Sequence, residues 1–94
     1  MAEYRLDGQY LKDRSGSTLG RVDGDYIKDP HGSTVGRIEG DYIKGSRGET
    51  VTRIEGQNIK DSSGRTIGTI DSVRKAIDGP GGKTLAALWV LLIR

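Results

Sequence analysis

The chain is predicted to be all-β: repeated β-hairpins in sixteen-residue units, curled around a central axis into a flower- or barrel-like body, with a hydrophobic C-terminal strand as core or interface. Three observations predict this. Four segments align without a gap: GQYLKDRSGSTLGRVD (8–23), GDYIKDPHGSTVGRIE (24–39), GDYIKGSRGETVTRIE (40–55) and GQNIKDSSGRTIGTID (56–71). The units carry two turn signals, Asp-x-x-Gly in the middle and Asp-Gly or Glu-Gly at the join with the next. The runs between the turns are too short for a stable helix and rich in the strand formers Tyr, Ile, Thr and Val.

In chain order, Tyr4-Arg5-Leu6-Asp7 matches the end of a unit, as in Gly36-Arg37-Ile38-Glu39, so residues 1–7 form a half repeat that finds its other half elsewhere. Within a unit the mid-turn is clearest at Asp29-Pro30-His31-Gly32. Asp suits the first position of a type I turn, Pro the second, and Gly the left-handed position after it. The joins Asp23-Gly24 and Glu39-Gly40 read as type I′ turns, whose twist suits a tight hairpin. Eight short antiparallel strands in a meander result. Val35 and Ile38 lie three apart, whereas strand faces alternate with period two. A bulge at Gly36-Arg37 returns both to the face of Ile27 and bends the strand; Thr52 stands at that glycine's place in the third unit, so the bulge has to accept a side chain there. Bent hairpins in succession curl and close, which deals with the exposed strand edges. Residues 72–82 form a short helical turn, capped near Asp71 and stopped by Gly79-Pro80, and a Gly-rich elbow; 83–94 are the hydrophobic terminal strand. The whole of 1–94 reads as a single domain.

The segment GPGGKTLAALWVLL (79–92) imitates a phosphate-binding loop opening a helix. A Walker loop needs Gly, four residues, then Gly-Lys-Ser/Thr, because amides from the whole loop wrap the phosphates. Counting back from Gly82-Lys83-Thr84, that first position is Ile77, and the hairpins supply no βαβ crossover, so nucleotide hydrolysis is rejected. Leu85 to Ile93 is apolar on every side, which disfavours an amphipathic helix and suits an enclosed strand or plug. Its burial contributes about 1.5–3 kcal/mol for each large side chain, before entropy costs. The segment is expected to cross the ring of hairpins as its core, pairing with Tyr4 to Asp7, or else to pack against tails of other copies.

The recurrent pattern Tyr-Ile-Lys-Asp-x-x-Gly-x-Thr-Val-Gly-Arg-Ile-Glu-Gly, as from Tyr26 to Gly40, resembles the β-flower repeat family, the four-fold and five-fold beta-flower proteins of bacteria. A hydrophobic strand closing the chain, here Ala86 to Ile93, is a further similarity. The resemblance implies hairpin petals around a central axis and assigns no activity. Asn58 in place of the unit's Tyr, and Thr52 in place of its Gly, depart from the pattern and imply imperfect symmetry.

Composition narrows the function. Fifteen Lys and Arg stand against thirteen Asp and Glu, interspersed along the chain, so no basic stripe points to nucleic acid. With no cysteine there is neither a disulfide nor a thiolate site. The start MAEYRLDG lacks the basic and apolar regions of a secretory signal. The nine apolar residues from Leu85 are fewer than half of the roughly 20 that a membrane span needs. The expectation is a cytoplasmic protein, or the mature part of an exported one, with membrane association left to an exposed tail. His31, the one histidine, falls at a turn tip without a second His or Cys, so no metal, cofactor or catalytic residue is expected. The carboxylates Asp23, Glu39, Glu55 and Asp71 recur because tight turns favour them.

The binding candidates are rows made by repetition: Tyr10, Tyr26 and Tyr42; Arg21, Arg37 and Arg53; and Asp25 and Asp41 beside two of the tyrosines. Lys12, Lys28, Lys44 and Lys60 form a further row. Cross-strand pairing accounts for such rows structurally. Functionally they form several like surfaces on which flat aromatics, Arg and Asp hold a sugar ring or an anionic group, with avidity from the copies. The expectation is a non-enzymatic β-repeat binding or assembly module, its partner a second copy or another protein. The alternative is a multivalent carbohydrate-binding, lectin-like protein.

Overall fold

A computed structural model describes residues 3–79 and 81–93. The outer ends of the expected half repeat and terminal segment, and the stop signal at Pro80, lie outside the described residues. Nine strands follow one another: β1 (Tyr4–Asp7), β2 (Tyr10–Asp13), β3 (Thr18–Asp23), β4 (Tyr26–Lys28), β5 (Thr34–Glu39), β6 (Tyr42–Gly45), β7 (Thr50–Glu55), β8 (Asn58–Asp61) and β9 (Thr66–Thr69). Helix α1 (Ile70–Ala76), the two-residue strand β10 (Ile77–Asp78), helix α2 (Lys83–Leu88) and a π turn (Trp89–Ile93) complete the chain. One ten-stranded sheet results, in the order β10-β1-β2-β3-β4-β5-β6-β7-β8-β9. It is the expected antiparallel meander, with β10 added parallel to β1.

The sheet does not close into a barrel. At Ile70 the chain leaves β9 for α1, and two-residue β10 adds to β1, so the two sheet edges are joined by a helix and not by a ladder. The half repeat therefore gains β10 as its neighbour, through Tyr4 opposite Ile77 and Arg5 opposite Asp78, where the tail had been expected to pair. The capped helical turn is present, two residues earlier than expected. Thr69 is its cap: the Thr69 hydroxyl accepts from the Ser72 amide (3.1 Å), and Ser72 Oγ accepts from the Thr69 amide (3.0 Å).

The mid-turns obey the predicted chemistry. Asp13 Oδ1 accepts from the amides of Ser15 (2.9 Å) and Ser17 (3.0 Å), and Asp29 and Asp61 do the same in the turns of the second and fourth units. Gly16, Gly32 and Gly64 follow at φ near +90°, the left-handed region that glycine enters without penalty. The join turns differ from expectation. Asp23 pairs with Tyr26, so the two central residues are Gly24 and Asp25, and only the glycine has positive φ. That is the type II′ pattern, with glycine first, rather than type I′. The bulge is also confirmed in kind and moved by one residue: Ile27 faces Gly36 and Lys28 faces Thr34, so Val35 is the extra residue. Every unit repeats it, including the third, where Thr52 sits fully buried at the glycine's place.

The terminal strand is the main correction. Residues 83–93 are helical, through α2 and the π turn. Being apolar all round is also what a helix requires when it is wrapped on every side. Leu85, Ala86, Ala87 and Leu88 are fully buried, as are Leu11, Ile27, Ile43 and Ile59, the same position in four successive units. With no second sheet to fill the concave side, a central helix offers many side chains per length to the surrounding strands. Its seat is the glycine row: a Cβ on Gly20 would meet Leu92 at 2.5 Å, one on Gly36 Leu91 at 2.6 Å, and one on Gly68 the Trp89 ring at 3.1 Å. Side chains of the π turn leave the axis in different directions, so Leu92, Leu91 and Trp89 reach units one, two and four. The tail is thus core. Among the described residues no helix is long and apolar enough to cross a membrane.

Candidate functional site

With the inward positions taken by Ile and Leu, strand alternation sends Tyr, Arg and Lys outward. The hairpin register then sets them side by side: Tyr10 opposite Arg21, Tyr26 opposite Arg37, Tyr42 opposite Arg53. The next strand adds Lys28 beside Arg21, Lys44 beside Arg37 and Lys60 beside Arg53. The three tyrosines are 44–49% exposed and are the exposed large hydrophobic residues among those described. Lys44 Nζ lies 5.5 Å from the Tyr42 ring centroid and donates to Thr50 Oγ1 (2.9 Å). Arg37 gives Nε and Nη2 to Glu39, and Arg53 gives Nη2 to Glu55 (2.9 Å).

Clefts form where this outer row meets the mid-turn of the following unit. Tyr42, Thr50 and Arg53 on one side and Asp61–Gly64 on the other enclose about 280 Å³. Thirty-two residues earlier, Tyr10, Thr18 and Arg21 face the Asp29–Gly32 turn across about 60 Å³. A third cleft of about 280 Å³ lies between Tyr4 of the half repeat and Asp13, Arg14 and Ser15 of the first unit's turn. The first two are versions of one inter-unit groove; the third also meets a mid-turn, but neither an outer-row Tyr nor its Arg lines it. In the smallest, Arg21 Nε is buried and no protein group accepts from it.

Two of the turn aspartates, Asp61 and Asp13, are held in the charged form. The Ser63 hydroxyl, then the Arg65 amide, hold the Asp61 carboxyl below its ordinary value; the Ser15 hydroxyl and the Ser17 amide do so for Asp13. The mid-turn of the third unit lacks that aspartate. Gly45 replaces it, and Glu49 Oε1 takes over acceptance from the Arg47 amide (3.0 Å).

Of the residues singled out from sequence, the Tyr and Arg rows are brought together in pairs. Asp25 and Asp41 are not part of the clefts. Both occupy join turns, where their carbonyls accept from Ile38 and Ile54, and the Asp41 carboxylate is bound by Lys83 (2.7 Å). That lysine, the centre of the phosphate-loop imitation, also donates to the Gly40 carbonyl and ties α2 to the β5–β6 turn. His31 is exposed on its turn. Among the described residues no group of three or more His, Asp or Glu is placed to hold a metal. Sequence reasoning missed Thr18, Thr50, Asp29 and Asp61. The signal was the register: Lys28 beside Arg21 places the turn beginning at Asp29 next to the Tyr10 row.

Comparison with known proteins gives a family-model match over residues 4–86, the family being described as 5-fold beta-flower protein. No curated protein and no solved structure matches.

Proposed function

The chain belongs to the 5-fold beta-flower family, which is not a known enzyme family, and from that premise we propose that it is a non-enzymatic binding module that engages its ligand through the outward grooves between successive units. The observation that carries this reading is the recurrence of one groove, an exposed Tyr and its cross-strand Arg facing an Asp-x-x-Gly turn, at positions thirty-two residues apart. Binding is favoured over assembly because the apolar tail, the segment best suited to join copies, has Leu85 to Leu88 and Val90 buried in this chain's own core, with Trp89 and Leu91 to Ile93 partly buried against it. Isolated exposed tyrosines flanked by Arg, Thr and Asp make a small mixed surface, closer to a ligand site than to the apolar patch of a stable dimer.

The test is a two-dimensional amide NMR screen of the intact protein against four fragment sets: neutral sugars, carboxylic acids, amines and aromatic dipeptides. At least one set is expected to shift the amides of Tyr42, Arg53 and Ser62–Gly64 together. Shifts absent from the grooves in all four, or confined to α1 and the join turns, overturn the reading.

A further inference from the structure

Resting on that reading, we propose that the groove between the third and fourth units is the primary site and that it takes a single neutral sugar ring, free or at the end of a chain. The three Tyr–Arg positions along the sheet are not equal. The groove at Tyr10 holds about 60 Å³, room for about two waters. Its turn carries Pro30 and His31 where the Tyr42 groove has Ser62 and Ser63. At Tyr26 the facing turn has Gly45 in place of the aspartate, and Arg37 is held by two bonds to Glu39. The groove at Tyr42, about 280 Å³, keeps every element and lies just below the roughly 300 Å³ at which drug-sized pockets begin. One six-membered ring suits that space.

The chemistry of its walls selects the class. Arg53 gives Nη2 alone to Glu55 and so keeps donors for an oxygen ligand, as the partnerless Nε of the equivalent Arg21 illustrates. Asp61 is an anchored acceptor, and Ser62 and Thr50 add hydroxyls. A ligand carboxylate or phosphate faces Asp61, and an amine faces Arg53, so each charge meets its like. A neutral ring with adjacent hydroxyls meets neither penalty: its hydroxyls donate to Asp61 and accept from Arg53 while one apolar face rests on Tyr42.

Amide NMR titrations of the full chain with methyl glucoside, methyl galactoside and methyl mannoside, against glucuronate and glucosamine as charged controls, test this. At least one neutral glycoside is expected to shift Tyr42, Arg53 and Asp61–Gly64 with higher affinity than either control. Tyr42→Ala is expected to weaken it about tenfold, and Ser62→Pro with Ser63→His, which installs turn residues this fold already carries at the Tyr10 groove, to abolish it. Lys75→Ala, on the exposed side of α1, is expected to bind as the parent does. Matching tetrasaccharides separate the sources, since a chain end binds as tightly as the monosaccharide or tighter. If the charged controls win, or only a non-sugar fragment moves the groove, the sugar assignment falls and groove binding stands. If no fragment moves it, both fall. Groove shifts that survive the turn replacement overturn the choice of this site.

Discussion

At the residue scale, the glycine row decides whether the core can form. A Cβ on Gly36 would lie 2.4 Å from the Lys44 carbonyl and 2.6 Å from Leu91, both too close. Gly36→Ala is therefore expected to cost about 1–3 kcal/mol, read as a lower midpoint in urea. Gly68→Ala, whose nearest neighbour is a Trp89 ring carbon at 3.1 Å, should cost less. The third unit breaks the row with Thr52, whose buried Oγ1 has no hydrogen-bond partner. Thr52→Val keeps the shape and removes the orphan hydroxyl, so it is expected to stabilise by about 1 kcal/mol; an unchanged or lowered midpoint contradicts this. Asp13 and Asp61 contribute to the acid limb of stability. Folding lowers the pKa of Asp13 and Asp61, so their contribution is complete above the unfolded value of about 3.9 and is lost as pH falls through the lower folded value. Asp13→Asn with Asp61→Asn should flatten the fall in melting temperature across that range.

At the scale of elements, the hairpins were legible because each turn is written in its own residues. Asp-x-x-Gly names the mid-turn, and period-two burial around Ile27 or Ile43 names the inward face. Two misreadings had physical causes. Asp23-Gly24 looks like a type I′ pair until the register shows Asp23 already in the ladder, leaving Gly24-Asp25 to turn. The terminal segment was read as a strand because an all-apolar run fits both an enclosed strand and an enclosed helix, and only the surroundings separate them. The third mid-turn supplies a sharper test of turn chemistry. A Cβ on Gly45 would lie 2.5 Å from the Glu49 carboxyl group, which replaces the missing aspartate. Gly45→Asp alone and Glu49→Ser alone should each lower the melting temperature, whereas the pair rebuilds the turn of the other units and should restore it. Additive losses in the double variant contradict the exchange.

At the scale of the whole molecule, ten short strands hold together because they share one helix. Leu11, Ile27, Ile43 and Ile59 share one buried cluster with Leu85 to Leu88 and Val90, joined by Ile70 and Val73 of α1 beside β9, and Lys83 is bound to Asp41 where the helix starts. The candidate site is a by-product of that arrangement. Its grooves exist because curling brings the Tyr10–Arg21 and Tyr42–Arg53 pairs up to the next unit's turn, a relation between units that no single repeat contains. That is why the rows could be read from sequence and the grooves could not. The most direct test is the thermal unfolding of a chain ending at Gly82, followed by far-ultraviolet circular dichroism beside the full-length protein. The enclosed-helix account predicts one cooperative transition for the full chain and none for the shortened one. A shortened chain that melts cooperatively at the same temperature would contradict it.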